Sequence, residues 1–227
     1  MLSGVHDEGP PLRDSRLVIP SDIRPSIVHA GKAIARVHEW PDVPPIEFLS
    51  EASMAEHGKF IWNPSTGQAQ EIRIRPAGDH AELTATLELG HWLDYQALGK
   101  PGDFASRSDP ILAQWRRAVE GSETVTRLEN FKAAGTVPYR DSFGRTQHMR
   151  ISAYVTYLLE PEELFSRSYA QWIAMESNDS RMLSQIKAAT ESSHPAGIIP
   201  RYWGPSDFGP ISGALESVTI KAGWKGK

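Results

Sequence analysis

Apolar residues recur at helical spacing along much of the chain. In residues 25–40, Ile27, Ala30, Ile34 and Val37 fall on one face of a helix, so this segment is expected to be helical with that face buried. The same kind of pattern predicts four more helices, at about residues 80–98, 109–123, 160–177 and 179–191.

Other segments have the patterns of strands. Residues 44–50, "PPIEFLS", predict a short strand. Residues 58–76 predict a β-hairpin with its turn at "NPSTG", because Ile72 and Ile74 in the second arm alternate with charged neighbours. Residues 137–150 are expected to form a loop, whereas the apolar run at 151–159 fits either a helix or a strand. The expected fold is α+β, with a small twisted sheet packed on the helix at 80–98.

The chain divides into three parts by composition. Residues 1–43 are expected to form an extended arm followed by a helix, and residues 44–192 the main domain. Residues 193–227 contain several glycines and prolines, which favour an irregular C-terminal tail. A main domain of this length is large enough to bury one substantial hydrophobic core.

Charge and composition exclude several function classes. The net charge of -4 argues against general binding to nucleic acid, which needs a basic surface. The chain has no cysteine, so any metal must be held by His, Asp or Glu. The beginning of the sequence lacks the apolar core of a signal peptide, and the longest apolar run, "YVTYLL", is too short to span a bilayer. We therefore expect neither a signal peptide nor a transmembrane segment.

The segment "TATLELGHWLDYQALG", residues 84–99, is close to a zinc-protease motif. In H-E-x-x-H, two histidines one helical turn apart bind zinc, and the glutamate acts as general base toward zinc-bound water. Here Glu88 and His91 occupy the glutamate and second histidine positions, but Leu87 replaces the first histidine. Asp94 lies one turn after His91, where it is expected to accept the other ring N–H.

A second motif gives this one a family context. The chain has "LELGHWLD" at residues 87–94 and "EPEELFSRSYAQWI" at 160–173. Together these resemble the zincin-like metallopeptidase domains of phage and prophage proteins, including those attached to head-morphogenesis proteins and polymorphic toxins. In that family the first segment reads HELGHxLD and the second supplies an acidic zinc ligand. The resemblance covers about residues 44–176 and implies a zincin-like fold.

The resemblance also implies roles for individual residues. His91 corresponds to the second zinc histidine, Glu88 to the general base, and Glu163 to the third, acidic ligand. Asp94 matches the family's aspartate after the motif, and Leu87 fills the place of the missing histidine. The implied cofactor is zinc, with the first ligand lost. The implied location is the bacterial cytoplasm or a phage virion.

Each assignment has a structural alternative. Glu163 lies in the first turn of its predicted helix, where a carboxylate is favoured by the helix dipole, and it precedes Arg167 by four residues, as in an ion pair. His91 could be a buried histidine held by hydrogen bonds. The aromatic residues of the two motifs are expected to be core residues that pack the motif helix against the later helix.

Histidines elsewhere could in principle replace the lost ligand. His57 and His148 lie in segments predicted as loops and could reach the site. His80 is seven residues before Leu87, about 10 Å along the helix, which is too far for a direct replacement. The histidines at positions 29 and 38 are expected to be structural, not ligands.

Two functions therefore remain open. The first is a zincin-like domain that no longer catalyses and serves a structural or binding role, with a protein partner such as a phage structural protein. The second is an active zinc metallopeptidase with a substituted ligand, acting on a peptide substrate. Neither requires binding to nucleic acid or to a membrane.

Overall fold

The computed structural model describes residues 19–76, 78, 80–140, 143–190 and 198–225. The fold is α+β, as expected. The helices are α1 Arg24–Val37, α2 Ala81–Gln96, α3 Ala105–Ser108, a 3-10 turn Pro110–Leu112, α4 Ala113–Glu120, α5 Glu123–Ala134, α6 Ser152–Leu158, α7 Pro161–Glu176, α8 Ser180–Thr190 and α9 Pro205–Lys221. The strands are β1 Glu47–Ser50, β2 Gly58–Asn63, β3 Gln68–Ile74, β4 Thr136–Arg140 and β5 Thr146–Arg150.

The first sheet has three strands in the order β1-β3-β2. β1 runs parallel to β3, and β2 pairs with β3 as the predicted hairpin. The Asn63 side chain accepts backbone hydrogen bonds from Ser65 and Thr66 in the turn, and Gly67 has a positive φ of 67°. A bulge interrupts the register between Ile61 and Trp62 in β2. β2 is thus an irregular edge strand.

The main core lies around helices α2 and α7. α2 packs against α7, against α1 and against the three-stranded sheet. The close approach of α2 and α7 depends on Gly90, because a Cβ there would lie 3.0 Å from Cδ1 of Tyr169 and 3.2 Å from Cα of Ser166. The largest fully buried side chains are Trp92, Trp115, Trp172, Tyr169, Phe48, Phe165 and Phe208.

We predict that Gly90→Ala destabilises the protein by about 1–3 kcal/mol, because the added methyl group must push one helix from the other. Gly213→Ala in α9 is the matched control, since a Cβ there meets nothing within 4 Å. The control should be neutral or more stable by up to about 1 kcal/mol, through helix propensity alone. Urea unfolding of both variants checks this; equal effects would show that the α2–α7 contact does not require glycine.

The segment at 137–150 is a β-hairpin, so the prediction of a loop was wrong. β4 and β5 pair antiparallel from Thr136↔Arg150 to Arg140↔Thr146. The hairpin is held by a second, smaller core, which buries Val137 with residues of α5 and α6. α5 itself was not predicted, although Ser122 caps it through the Val125 N–H and Gly135 ends it in the left-handed conformation. The segment at 151–159, which fitted either a helix or a strand, forms helix α6.

Much of the predicted irregular tail is also helical, and that prediction was wrong for residues 205–221. Pro205 occupies the first turn of α9, where a missing N–H costs nothing, and Pro210 is accommodated inside the helix. Phe208, Ile211 and Leu215 fall at helical spacing and are fully or almost fully buried in the main core. Burial of this apolar face outweighs the helix-breaking residues. The part of the tail at 193–197 lies outside the described residues.

The segment after α1 is fixed by a buried histidine. His38 Nδ1 donates to the Glu39 carbonyl at 2.7 Å, so its Nε2, 2.8 Å from the Tyr169 hydroxyl, accepts from it. The ring stacks on Trp172 and lies 5.4 Å from the ring of Trp224. Both ring nitrogens are therefore satisfied in the neutral imidazole. Helix α1 and the end of the chain share one core with the main domain.

We predict that His38 makes stability pH-dependent. Burial lowers its pKa from 6.5 to about 4. As the pH falls from 6.5 to 4, the unfolded chain takes up a proton that the folded chain does not, so the free energy of unfolding should fall by up to about 3 kcal/mol. Above pH 6.5 this contribution is constant.

Urea unfolding across this pH range tests the prediction. His38→Gln should lose this part of the pH dependence, whereas His148→Gln, at an exposed position of β5, should retain it. An unchanged pH profile in His38→Gln would assign the dependence to other groups.

No helix in the described ranges has the length and apolar character needed to cross a membrane.

Candidate functional site

Helix α2 brings the motif residues into the interior. It lies between the sheet and α7, so twelve of its residues are buried, including Glu88, His91 and Asp94. Polar groups taken out of water in this way must find partners within the protein. Leu87 is only partly buried and packs at the margin of the main core.

His91 meets Glu163 of α7, as the two motifs predict. His91 Nε2 lies 3.2 Å from Oε1 of Glu163 and 3.0 Å from Oγ of Ser166, one turn further along α7. The imidazole also stacks on Phe60 of β2, with 6.4 Å between the ring centroids. Tyr157 of α6 donates to the Glu163 carboxylate. The site thus joins α2, α6, α7 and β2.

The His91–Glu163 contact is an ion pair. Burial would lower the pKa of His91, but the adjacent Glu163 carboxylate raises it to about 9. Burial likewise opposes the charge on Glu163, yet His91 and the Tyr157 hydroxyl hold the pKa of that carboxyl below its ordinary value. The carboxylate therefore favours the protonated form of His91, in which Nε2 donates toward Glu163 and Ser166.

Glu88 lies beside this pair under the edge strand. Its carboxylate accepts a hydrogen bond from the Phe60 backbone N–H, and burial raises its pKa to about 7. A Cβ on Gly58 would come within 2.6 Å of Glu88 Oε1 and of the Thr84 side chain, so only glycine fits at that point of β2. A carboxyl group poised near neutrality can accept or donate a proton at physiological pH.

Asp94 has a different partner from the one expected. Its Oδ1 accepts from the Ser106 backbone N–H at 2.8 Å, and its Oδ2 accepts from the Ser106 hydroxyl at 2.6 Å. Both hydrogen bonds that the structure gives this carboxylate thus come from Ser106, and the expected bond from His91 is not among them. Asp94 fixes the start of α3 to α2. Burial raises its pKa to about 7, against the effect of the Ser106 bonds.

The structural alternative for Glu163, an ion pair with Arg167, is also not formed as expected. Arg167 Nε donates to the backbone carbonyl of Glu163 at 3.2 Å, and its other nitrogens donate to the carbonyls of Leu158 and Arg201. The Glu163 carboxylate is engaged by His91 and Tyr157 instead. Arg167 is buried, 3% exposed, with neutral hydrogen-bond acceptors.

The other candidate histidines lie in different surroundings. His57 is in a loop, 3.0 Å from a guanidinium nitrogen of Arg75. His148 is exposed on β5, and His80 occupies the N-cap position of α2 without a capping hydrogen bond from its side chain. His29 is paired with Asp179 at 2.8 Å. His57 and His80 both line a small cavity that also contains Leu87.

Two of the residues fit a zinc site and the third does not. Tetrahedral ligands about 2.1 Å from zinc lie about 3.4 Å apart, close to the 3.2 Å between His91 Nε2 and Glu163 Oε1. Leu87 occupies the position of the remaining ligand and has no lone pair. Within the described ranges, no three His, Asp or Glu side chains are grouped to hold a metal. These residues do not complete a zinc site.

A cleft of about 540 Å³ opens over the ion pair. β2 and α6 both contribute to its lining. Five aromatic residues and five glutamates line the cleft, and Glu88, His91 and Glu163 are among the lining residues. The aromatic residues are Phe60, Trp62, Phe104, Tyr154 and Tyr157. A cleft of this size accommodates a few side chains of a peptide.

Several residues of the site were not predicted from the sequence. Ser166 could have been found, since it lies three residues after Glu163 on the same helical face. Phe60, Gly58 and Tyr157 come from segments distant in sequence and have no local signal.

In the comparisons with known proteins, no family model matches the chain, and neither a curated protein nor a solved structure matches it significantly.

Proposed function

We propose that this chain is a zincin-like domain that has lost zinc-dependent hydrolysis and binds a peptide segment in the cleft over α2 and α7. The observation that carries the proposal is the His91–Glu163 ion pair at the site where the family's zinc ligands would meet. Leucine at position 87 removes a ligand, and the two remaining side chains, His91 and Glu163, pair with each other instead of binding a metal ion. The zincin resemblance itself rests on the two sequence motifs.

The proposed binding mode uses the edge strand. β2 is an edge of its sheet and forms a wall of the cleft, and extended peptides commonly bind beside such edges. Trp62 and Phe104, whose ring centroids are 5.0 Å apart, offer an apolar surface for side chains of the ligand. The family context favours a segment of a phage structural protein as the partner.

Two measurements on the unaltered chain test the proposal. Metal analysis of protein purified without chelator or metal-affinity tag should find far less than one zinc per chain. Panning of a displayed peptide library should enrich binders that remain uncleaved. Trp62→Ala, in the cleft wall, should abolish this enrichment, whereas Phe143→Ala, 80% exposed at the β4–β5 turn, should not. Stoichiometric zinc, or binders indifferent to Trp62→Ala, would contradict the proposal.

A second candidate function is a zinc peptidase with a substituted ligand. It is favoured by His57, which lines the same small cavity as Leu87, Glu88 and Glu163. In that case the unaltered protein should contain zinc, and His57→Ala should lose it. Glu88→Gln should then abolish peptide cleavage without unfolding the protein; cleavage that persists in this variant would eliminate Glu88 as the base.

A further inference from the structure

A second cavity, of about 240 Å³, lies beside the cleft. It shares Gly58, Glu88, Tyr157 and Glu163 with the cleft, so the two spaces adjoin along the same residues. Its remaining walls come from the beginning of α2, from α6 and from the segment before α9. No step of the proposed peptide binding described above uses this cavity.

Two polar side chains in its walls have buried nitrogens without a partner. They are Nε of Arg201 and Nδ1 of His80. The Arg201 guanidinium is placed over the ring of Tyr154, 6.0 Å from its centroid, but Nε has no hydrogen-bond acceptor. Arg201 Nε is a donor, and His80 Nδ1 is a donor or an acceptor depending on the tautomer. A buried polar atom without a partner costs about 1–3 kcal/mol, so two such atoms at one cavity indicate a group that the cavity is built to receive.

Two arginines, Arg167 and Arg201, line the cavity together with three glutamates. The Arg167 guanidinium hydrogen-bonds only to backbone carbonyls, although the charge of the Glu163 carboxylate acts on it. The buried Tyr202 is part of the same wall. Arginine is the side chain that best recognises a carboxylate, through parallel N–H donors.

The three carboxylates that also line the cavity do not fill this role. Glu163 is engaged by His91 and Tyr157. Glu88 accepts from the Phe60 N–H, and Glu56 is exposed at the rim. The structure pairs none of them with Arg201.

We propose that this cavity binds a carboxylate of the peptide that occupies the neighbouring cleft, with Arg201 as its principal contact and His80 as a second donor. The carboxylate belongs to an acidic side chain or to the C-terminus of that peptide. A cavity of about 240 Å³ has room for one such group. The inference deepens the proposed function and rests on it for the identity of the ligand as a peptide.

Small acids test the cavity without requiring the cleft. The probes are two small acids: the α-amide of N-acetyl-aspartic acid, which has only a side-chain carboxylate, and N-acetyl-alanine, which has only a terminal one. N-acetyl-alanine amide is the uncharged control. Titration followed by the arginine Nε–H resonances in NMR should shift the Arg201 signal with one or both acids and not with the amide. The acid that binds more tightly identifies the source of the carboxylate.

Variants confirm the contact. Arg201→Gln should weaken acid binding about tenfold or more, and Arg201→Lys should recover only part of it, because lysine keeps the charge without the paired donors. Arg150→Gln, at an exposed position on β5, is the control and should bind normally. If neither acid shifts the Arg201 resonance of the unaltered protein, the inference is wrong. Acid binding without any enriched peptide would instead reject the proposed function and leave an acid-binding cavity.

Discussion

Leu87→His is expected to produce a protein that binds one zinc ion per chain. Residues 87 and 91 are one helical turn apart on α2, so a histidine at 87 would point to the same side as His91. His91 Nε2 and Glu163 Oε1 are already about as far apart as two ligands of one tetrahedral zinc. Three protein ligands with an open fourth position are the usual composition of a catalytic zinc site.

Zinc must displace the proton on His91 and break the contact between His91 and Glu163. Zinc binding should therefore be weaker than in a site evolved for zinc. Even so, free zinc at about 100 times the dissociation constant would raise the free energy of unfolding by about 2.7 kcal/mol. Metal analysis and unfolding with and without zinc measure the two effects.

The controls for this experiment are Leu87→Met, which retains an apolar side chain, and His91→Ala in the Leu87→His background. Neither should bind zinc. If Leu87→His itself contains none, then Glu163 is not a latent ligand, and the likeness between the α2–α7 pair and a zincin site fails. If the zinc-bound variant cleaves peptides and an added Glu88→Gln substitution abolishes this cleavage, Glu88 is the general base.

Ending the chain at Gly204 is expected to abolish cooperative folding. α9 and the turn after it bury five large apolar side chains, each worth about 1.5–3 kcal/mol: Phe208, Ile211, Leu215, Val218 and Trp224. Their sum, of order 10 kcal/mol, is similar to the whole stability of a typical domain. The deletion would also remove Asp207, which accepts hydrogen bonds from the first N–H groups of α5.

Near-ultraviolet circular dichroism and urea unfolding followed by tryptophan fluorescence should show no cooperative transition in the shortened chain. The full chain with Glu216→Ala and Lys221→Ala, both exposed on α9, is the control and should change by less than about 1 kcal/mol. A shortened chain that unfolds with an unchanged midpoint and slope would mean that α9 is not part of the cooperative unit.

Five of the helices, namely α1, α2, α4, α7 and α8, and the first hairpin could be predicted from local patterns, because their apolar spacing and end signals agree. The errors lie where local signals conflict. In α9, prolines and glycines argue for a loop, but the spacing of Phe208, Ile211 and Leu215 argues for a helix, and burial decides between them. In the β4–β5 hairpin, Pro138 and the polar residues argue against strands, and the strands are stabilised by packing of Val137 and Met149 on the smaller core.

The candidate site shows the same division. The resemblance assigned His91 and Glu163 to one site, although they are 72 residues apart, and the two side chains are in contact at 3.2 Å. The partner of Asp94 could not be predicted, because Ser106 lies on a different element whose position depends on the tertiary fold. The burial of the unpartnered Arg201 Nε could not be predicted either, because it depends on the tertiary fold.

The edge strand β2 has a consequence for solubility. An edge strand can offer its backbone groups to the edge of another molecule, which is a common start of aggregation, and on β2 the Phe60 N–H already donates to Glu88. The bulge between Ile61 and Trp62 breaks the regular ladder, and Lys59 places a charge on the strand. We expect these two features to limit pairing to short segments, so that the chain can keep this edge open without forming extended sheets between molecules.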